Sequence, residues 1–389
     1  MSFLPRLWTT AATIALVATQ AAAFDTGAKA AFVLDQTTGT VLLAKRADEA
    51  LPPASMSKLM TLYIAFEAIR DGRLSLDERL PVSQHAQSYG GSTMFLDTTD
   101  RVKVSDLLRG IIVLSGNDAC AVLAEALSPD GTESGFARLM TQRAQQLGMT
   151  SSTFKNASGW PAQGHVMSMR DLVLLGSHII RDFPEFYEMF SERRFEFDGR
   201  APSNVNNRNP LLGLGIGADG LKTGHTQEAG YGLVGSATNG KRRVAFAITG
   251  LDSANARAEE SEAIVNWAFR QFAEQTIVKK DSAIAQAAIW LGAEDQVGLV
   301  AEKDLTLLLP TMTPNGVEAE VVYTGPIEAP VRRGDKLAEL IIRPAGLPET
   351  RVPLMAEADV EAAGFVDRML TVSSVLVKRL REDAAEEQM

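Results

Sequence analysis

The chain has 389 residues, of which 46% are hydrophobic and 22% charged, a globular composition on a chain longer than one ordinary domain. A formal net charge of −10 argues against nucleic-acid binding, because phosphate contacts need a basic face. The lone cysteine, Cys120, rules out an intramolecular disulfide, and four scattered histidines without H-E-x-x-H or C-x-x-C give no basis for a metal site or cofactor.

Residues 1–23 read as a secretory signal peptide. Arg6 precedes a short apolar run from Ala11 to Ala18, and Ala21-Ala22-Ala23 supplies the small-residue cleavage site. The run is too short to span a bilayer, so an exported protein is expected. AAFVLD and TVLLAK around QTTG predict a hairpin over 30–45. Pro52 and Pro53 end extended chain, and the spacing of Leu59, Leu62, Tyr63, Phe66 and Ile69 predicts a helix stopped by Arg70-Asp71-Gly72. A second helical pattern runs over 104–127 with Ser105 as N-cap, and a third over 168–182.

From Gly220 the period becomes two. GLKTGHT, YGLVGSAT and RRVAFAITGL predict strands, with Asn239-Gly240 as a hairpin turn, and a helix follows over 256–275. Strands at both ends with helices between them predict one α/β unit over 24–275: an antiparallel sheet closed by the two termini around an inserted helical cluster. Short apolar strands and turn residues then predict a small all-β domain over 276–357. The segment 358–389 reads as an amphipathic helix and an acidic tail. Its residues 363–382 carry Phe365, Met369, Val372, Leu376 and Leu380 on one face and Lys378, Arg379 and Arg381 near the end, a pattern that suits an anionic membrane surface.

Two S-x-x-K pairs occur, Ser55–Lys58 and Ser152–Lys155, where about one is expected by chance. Ser55 opens a strongly periodic helix that puts residues i and i+3 on one face, at an end that favours developing negative charge. Ser152 lies among turn formers with no helical period. Ser115-Gly116-Asn117 sits inside a helical pattern that the glycine weakens. Lys222-Thr223-Gly224 lies on a strand, where the glycine suggests close approach of a ligand.

SMSK, SGN and DGLKTGHTQEAGYGLVGSAT, in that order, resemble the low-molecular-mass penicillin-binding proteins, the serine-type D-Ala-D-Ala carboxypeptidases. GGSTMFL, LGMTSSTFKNASGW, NRNPLL and the strand-rich region after 276 are similar to that family too, so the resemblance spans nearly the whole mature chain. It implies a β-lactamase/transpeptidase-like domain, then a β domain and often a C-terminal anchor. It also implies an exported, periplasmic enzyme that trims peptidoglycan stem peptides and is acylated by β-lactams.

Chemically, Ser55 would be the nucleophile and Lys58 its base, neutral through burial and a second cation, with Lys222 as that cation. By family analogy the backbone N–H groups of Ser55 and His225 form the oxyanion hole. Ser115 would relay a proton to the leaving amine, and Asn117 would hold the substrate amide. Lys222 and Thr223, beside Gly224, would bind the terminal carboxylate, with Arg208 near the same pocket. Arg257 reads as a helix-surface charge, and Cys120 as a small buried hydrophobe without a catalytic role.

A β-lactamase is disfavoured by SGN in place of SDN and by the lack of E-x-x-L-N between SGN and KTG. A D,D-endopeptidase of cross-links remains open as the alternative. A non-catalytic wall-binding protein would be expected to lose the nucleophile or its base, and both are present.

Overall fold

The computed structural model describes residues 24–200, 203–311, 318–344, 347, 349–365 and 369. The expected leader and nearly all of the expected C-terminal helix and tail lie outside the described residues. In chain order the elements are β1 (Ala30–Asp35), β2 (Thr40–Lys45), α1 (Lys58–Arg70), β3 (Arg79–Pro81), α2 (Gln84–Gln87), β4 (Arg101–Lys103), α3 (Val104–Arg109), α4 (Asn117–Leu127), α5 (Glu133–Gln146), α6 (Met169–Asp182) and α7 (Pro184–Tyr187). Next come β5 (Ala218–Thr226), β6 (Gly230–Asn239), β7 (Arg242–Leu251) and α8 (Ala254–Arg270).

The main sheet is antiparallel in the order β2-β1-β7-β6-β5, so the N-terminal hairpin docks against the last strand and leaves β5 as an edge. Strand alternation divides the core. Ala30, Phe32, Ala245 and Ala247 face the helical cluster, whereas Ala31, Val33, Phe246 and Ile248 face α8. Helix α1 runs through the middle of the cluster and is buried on nearly every side, which fits its lack of a polar face. Across the α8 face, Asp35 is fully buried and pairs with Arg242 at 2.8 Å.

Two predicted helices differ from what forms. The 104–127 pattern breaks into α3, a π-type turn over Gly110–Leu114, Ser115 in a left-handed conformation (φ 64°), and α4. Met94 packs into this break and requires its glycines: a Cβ on Gly110 would come within 2.1 Å of its Sδ, and one on Gly116 within 3.2 Å of its Cγ. Helix α3 is preceded by Lys103 with no side-chain cap, so Ser105 is not the N-cap. Helix α8 ends at Arg270, not near 275, and Phe272–Val278 is strand β8. There the Phe272 ring packs edge-on against Trp267 and the backbone pairs with a later strand.

That later strand is β11 (Leu305–Pro310), which pairs with β8. The remaining strands are β9 (Ala283–Trp290), β10 (Gln296–Ala301), β12 (Glu318–Val322), β13 (Ile327–Glu328), β14 (Lys336–Arg343) and β15 (Thr350–Ala356). They form one sheet in the order β12-β14-β15-β10-β9-β13 over its own apolar core.

Candidate active site

Pro52 and Pro53 lead into a 3₁₀ turn, Ala54–Ser57, and α1 begins at Lys58. Three residues per turn eclipse positions i and i+3, which lines up Ser55 with Lys58. Lys58 Nζ lies 2.9 Å from Ser55 Oγ, 2.7 Å from Asn117 Oδ1 and 2.6 Å from the Ser158 carbonyl oxygen. Ser55 is half-buried and Lys58 fully buried. Burial therefore pushes the Lys58 ammonium down to about 8, Arg208 adds to the depression, and the carboxylates of Asp118 and Glu133 oppose it.

Lys222 is also buried, and burial, then Lys58 and Arg208, hold it well below the ordinary lysine range. Arg208 therefore adds to the depression of both lysines, and each lysine's charge disfavours the other's. Lys58 Nζ has three oxygen neighbours, whereas Lys222 Nζ has one among the described residues, the Thr223 carbonyl at 3.2 Å.

Ser115 and Asn117 flank the break between α3 and α4. Ser115 is buried, and its hydroxyl has no hydrogen-bond partner among the described residues. Asn117 uses both ends of its amide: Oδ1 accepts from Lys58, and Nδ2 donates to the Gly90 carbonyl at 2.9 Å. Lys222, Thr223, Gly224 and His225 lie on β5, the sheet edge, where one row of backbone groups has no strand partner. Strand β5 packs on the nucleophile turn. A Cβ on Gly224 would stand 3.0 Å from both Pro53 O and Met56 Cγ, so glycine here lets β5 approach the Ser55 turn closely.

A family profile described as D-alanyl-D-alanine carboxypeptidase matches residues 16–253, and one for the C-terminal domain of penicillin-binding protein 5 matches residues 272–362. The chain belongs to the D-alanyl-D-alanine carboxypeptidase family. It is 35% identical to the D-alanyl-D-alanine carboxypeptidase DacC of Escherichia coli (strain K12) over 88% of this chain and 86% of that one. Among solved structures, penicillin-binding protein 5 of Haemophilus influenzae is 31% identical with a TM-score of 0.70, covering 87% and 98% of the two chains. Penicillin-binding protein D2 of Listeria monocytogenes in its ampicillin-bound form is 34% identical with a TM-score of 0.56, covering 63% of this chain and 98% of that one.

In this carboxypeptidase, Arg208 reaches Ser92 Oγ at 2.7 Å, Asn204 Oδ1 at 2.7 Å and the Leu114 carbonyl at 3.2 Å, with no carboxylate partner among the described residues. Arg257 is not a helix-surface charge. It is only 8% exposed, donates to the Arg208 carbonyl at 3.3 Å, lies over the Tyr231 ring, and leaves Nε unpartnered. Tyr231 stacks on the exposed His225 ring at 3.9 Å. The face of α8 that carries Arg257 turns toward the sheet edge, which helical periodicity could not reveal.

The second S-x-x-K is unrelated to the site. Ser152 Oγ donates to Asp171 at 2.7 Å, while the Lys155 backbone N–H donates to His165 Nδ1 at 3.2 Å. Cys120 is buried, and burial pushes its thiol up to about 12.

Sequence reading missed Ser158, whose carbonyl accepts from Lys58. The turn signal in NASGW was its only trace. Asn156 Oδ1 accepts from the N–H groups of Ser158, Gly159 and Trp160 and closes that turn. A Cβ on Gly159 would lie 1.9 Å from the Ala54 carbonyl oxygen, so the turn sits directly on the nucleophile.

Proposed function

We propose that this enzyme removes the terminal D-alanine from peptidoglycan stem pentapeptides through an acyl-enzyme on Ser55. The observation that carries the reading is a fully buried lysine whose Nζ, depressed to about 8, stands 2.9 Å from a solvent-reachable serine. Neutral Lys58 takes the Ser55 Oγ proton as the oxygen attacks the carbonyl carbon between the two D-alanines. The tetrahedral oxyanion is held by the backbone N–H groups of Ser55 and His225. The C–N bond then breaks, the leaving amine receives a proton through Ser115, and water hydrolyses the ester.

Asn117 fixes Lys58 and meets the substrate amide. Thr223 and Lys222 receive the terminal carboxylate, with Gly224 letting β5 reach the Ser55 turn and with Arg208 and Arg257 as further positive charge. The arriving carboxylate favours the Lys222 ammonium, because an adjacent anion stabilises the charged form. Penicillins acylate Ser55 by the same attack. The loop over 153–168 that lies against the nucleophile carries no Asp or Glu to activate a deacylating water, which supports a long-lived penicilloyl enzyme over a β-lactamase.

The leader over 1–23 supports export to the periplasm, and the basic amphipathic pattern over 363–382 supports peripheral attachment to the outer face of the cytoplasmic membrane. The test incubates mature protein and Ser55→Ala with a muropeptide ending in D-Ala-D-Ala, followed by mass spectrometry. Loss of one D-alanine with wild type alone is expected. Loss with both would remove Ser55 as nucleophile. Loss with neither, together with cleavage of cross-linked dimers, would make the enzyme a D,D-endopeptidase.

A further inference from the structure

Glu133, the first residue of α5, is almost fully buried and has no Lys or Arg partner among the described residues. Its two oxygens accept from three donors. Oε1 takes the Ala157 N–H at 2.8 Å and the Tyr89 hydroxyl at 2.9 Å, and Oε2 takes the same hydroxyl at 2.7 Å and His85 Nε2 at 2.6 Å. Burying a carboxylate without a fixed cation is costly. The helix N-terminus offsets part of that cost, and the three donors offset more.

What those donors hold is specific. Ala157 precedes Ser158, whose carbonyl accepts from Lys58 Nζ. Tyr89 precedes Gly90, whose carbonyl accepts from Asn117 Nδ2 and so turns Asn117 Oδ1 toward the same Nζ. Two of the three oxygens around the Lys58 ammonium are therefore placed by one carboxylate that touches neither Lys58 nor Ser55.

We propose that Glu133 is a positioning residue for acylation: it clamps the loop before Ser92 and the turn at Ser158 onto the base, and it places a buried negative charge near that base without touching it. The proposal rests on the reading of Lys58 as the base for Ser55. Charged or titratable groups around the clamp are His85 on α2, Glu125, Asp118 and Cys120 on α4, Lys155 beside the turn, and Lys58 itself. The rim group among them is His85, whose side chain is 52% exposed.

The test is Glu133→Gln in the full mature enzyme. The second-order rate of acylation by a fluorescent penicillin is measured from pH 6 to 10 and normalised to folded protein. Removing a negative charge and loosening two acceptors both disfavour the ammonium. The acidic limb should therefore move down by ~0.5–1 pH unit, and the high-pH plateau should fall about tenfold. A lowered melting temperature with limb and plateau both at wild-type values would make Glu133 a merely structural group and overturn the proposal.

Tyr89→Phe keeps the charge and cuts only the arm to Gly90, so its plateau should fall with a smaller limb shift. If Glu133→Gln does not fold, a Tyr89→Phe profile superposing on wild type overturns the proposal alone. A wild-type profile with no acidic limb near pH 8 would instead remove Lys58 as base and take the proposal with it.

Discussion

Gly224→Ala tests whether the third residue of K-T-G serves the nucleophile turn. The added methyl would meet Pro53 O at 3.0 Å, Met56 Cγ at 3.0 Å and Met56 N at 3.2 Å. Met56 Cγ belongs to a flexible side chain and can move. The other two atoms are backbone of the turn that carries Ser55, so β5 must retreat from it by a few tenths of an ångström. Overpacking of this kind costs ~1–3 kcal/mol of stability. The catalytic loss has a different origin, because the same retreat carries away the His225 N–H, which is proposed to hold the oxyanion. A full 1 Å misplacement can cost ~100-fold, so a few tenths should cost about tenfold in acylation.

Stopped-flow acylation by a chromogenic penicillin gives the rate, and thermal melting gives the stability. Gly176→Ala is the control: its methyl finds ordinary contacts with Val234 and Leu221 at 3.5–3.7 Å inside α6, and it should stabilise by ~0.5–1 kcal/mol. Wild-type acylation in Gly224→Ala, with melting unchanged, would show that the strand and the turn are not in the tight contact described.

Lys58→Arg cannot supply a neutral base and should lower acylation by ~10²–10⁴-fold, read by the penicillin assay. In wild type, kcat/KM for D-alanine release should fall as pH drops through about 8, since protonating Lys58 removes the acceptor for the Ser55 proton; a flat profile down to pH 6 would exclude it. Lys222→Gln should raise KM for a peptide with a free terminal carboxylate while leaving the already poor turnover of its C-terminal amide unchanged, measured side by side. Arg242→Ala strands the fully buried Asp35 and should cost ~3–5 kcal/mol in denaturant unfolding.

The sequence by itself determined the chemical inventory and much of the scaffold. Ser55-x-x-Lys58, Ser115-Gly116-Asn117 and Lys222-Thr223-Gly224 are contiguous motifs, so order and spacing were enough to point to them. The hairpin over 30–45, helix α6 and strands β5 to β7 follow from local period and turn chemistry, and the structure contains them. Local rules failed where a distant side chain intervened. The expected 104–127 helix breaks between Gly110 and Gly116, where the Met94 side chain fills the space a Cβ would need, and strand pairing takes Phe272 out of α8.

Tertiary structure alone decided which groups tune the base. Arg208 comes from a segment far along the chain and adds to the depression of Lys58. Arg257 faces inward, and Ser158 and Glu133 reach the site from segments 100 and 75 residues beyond Lys58 in the chain. A backbone carbonyl has no sequence signature, and the cost of a buried charge depends on donors that only the folded chain brings together.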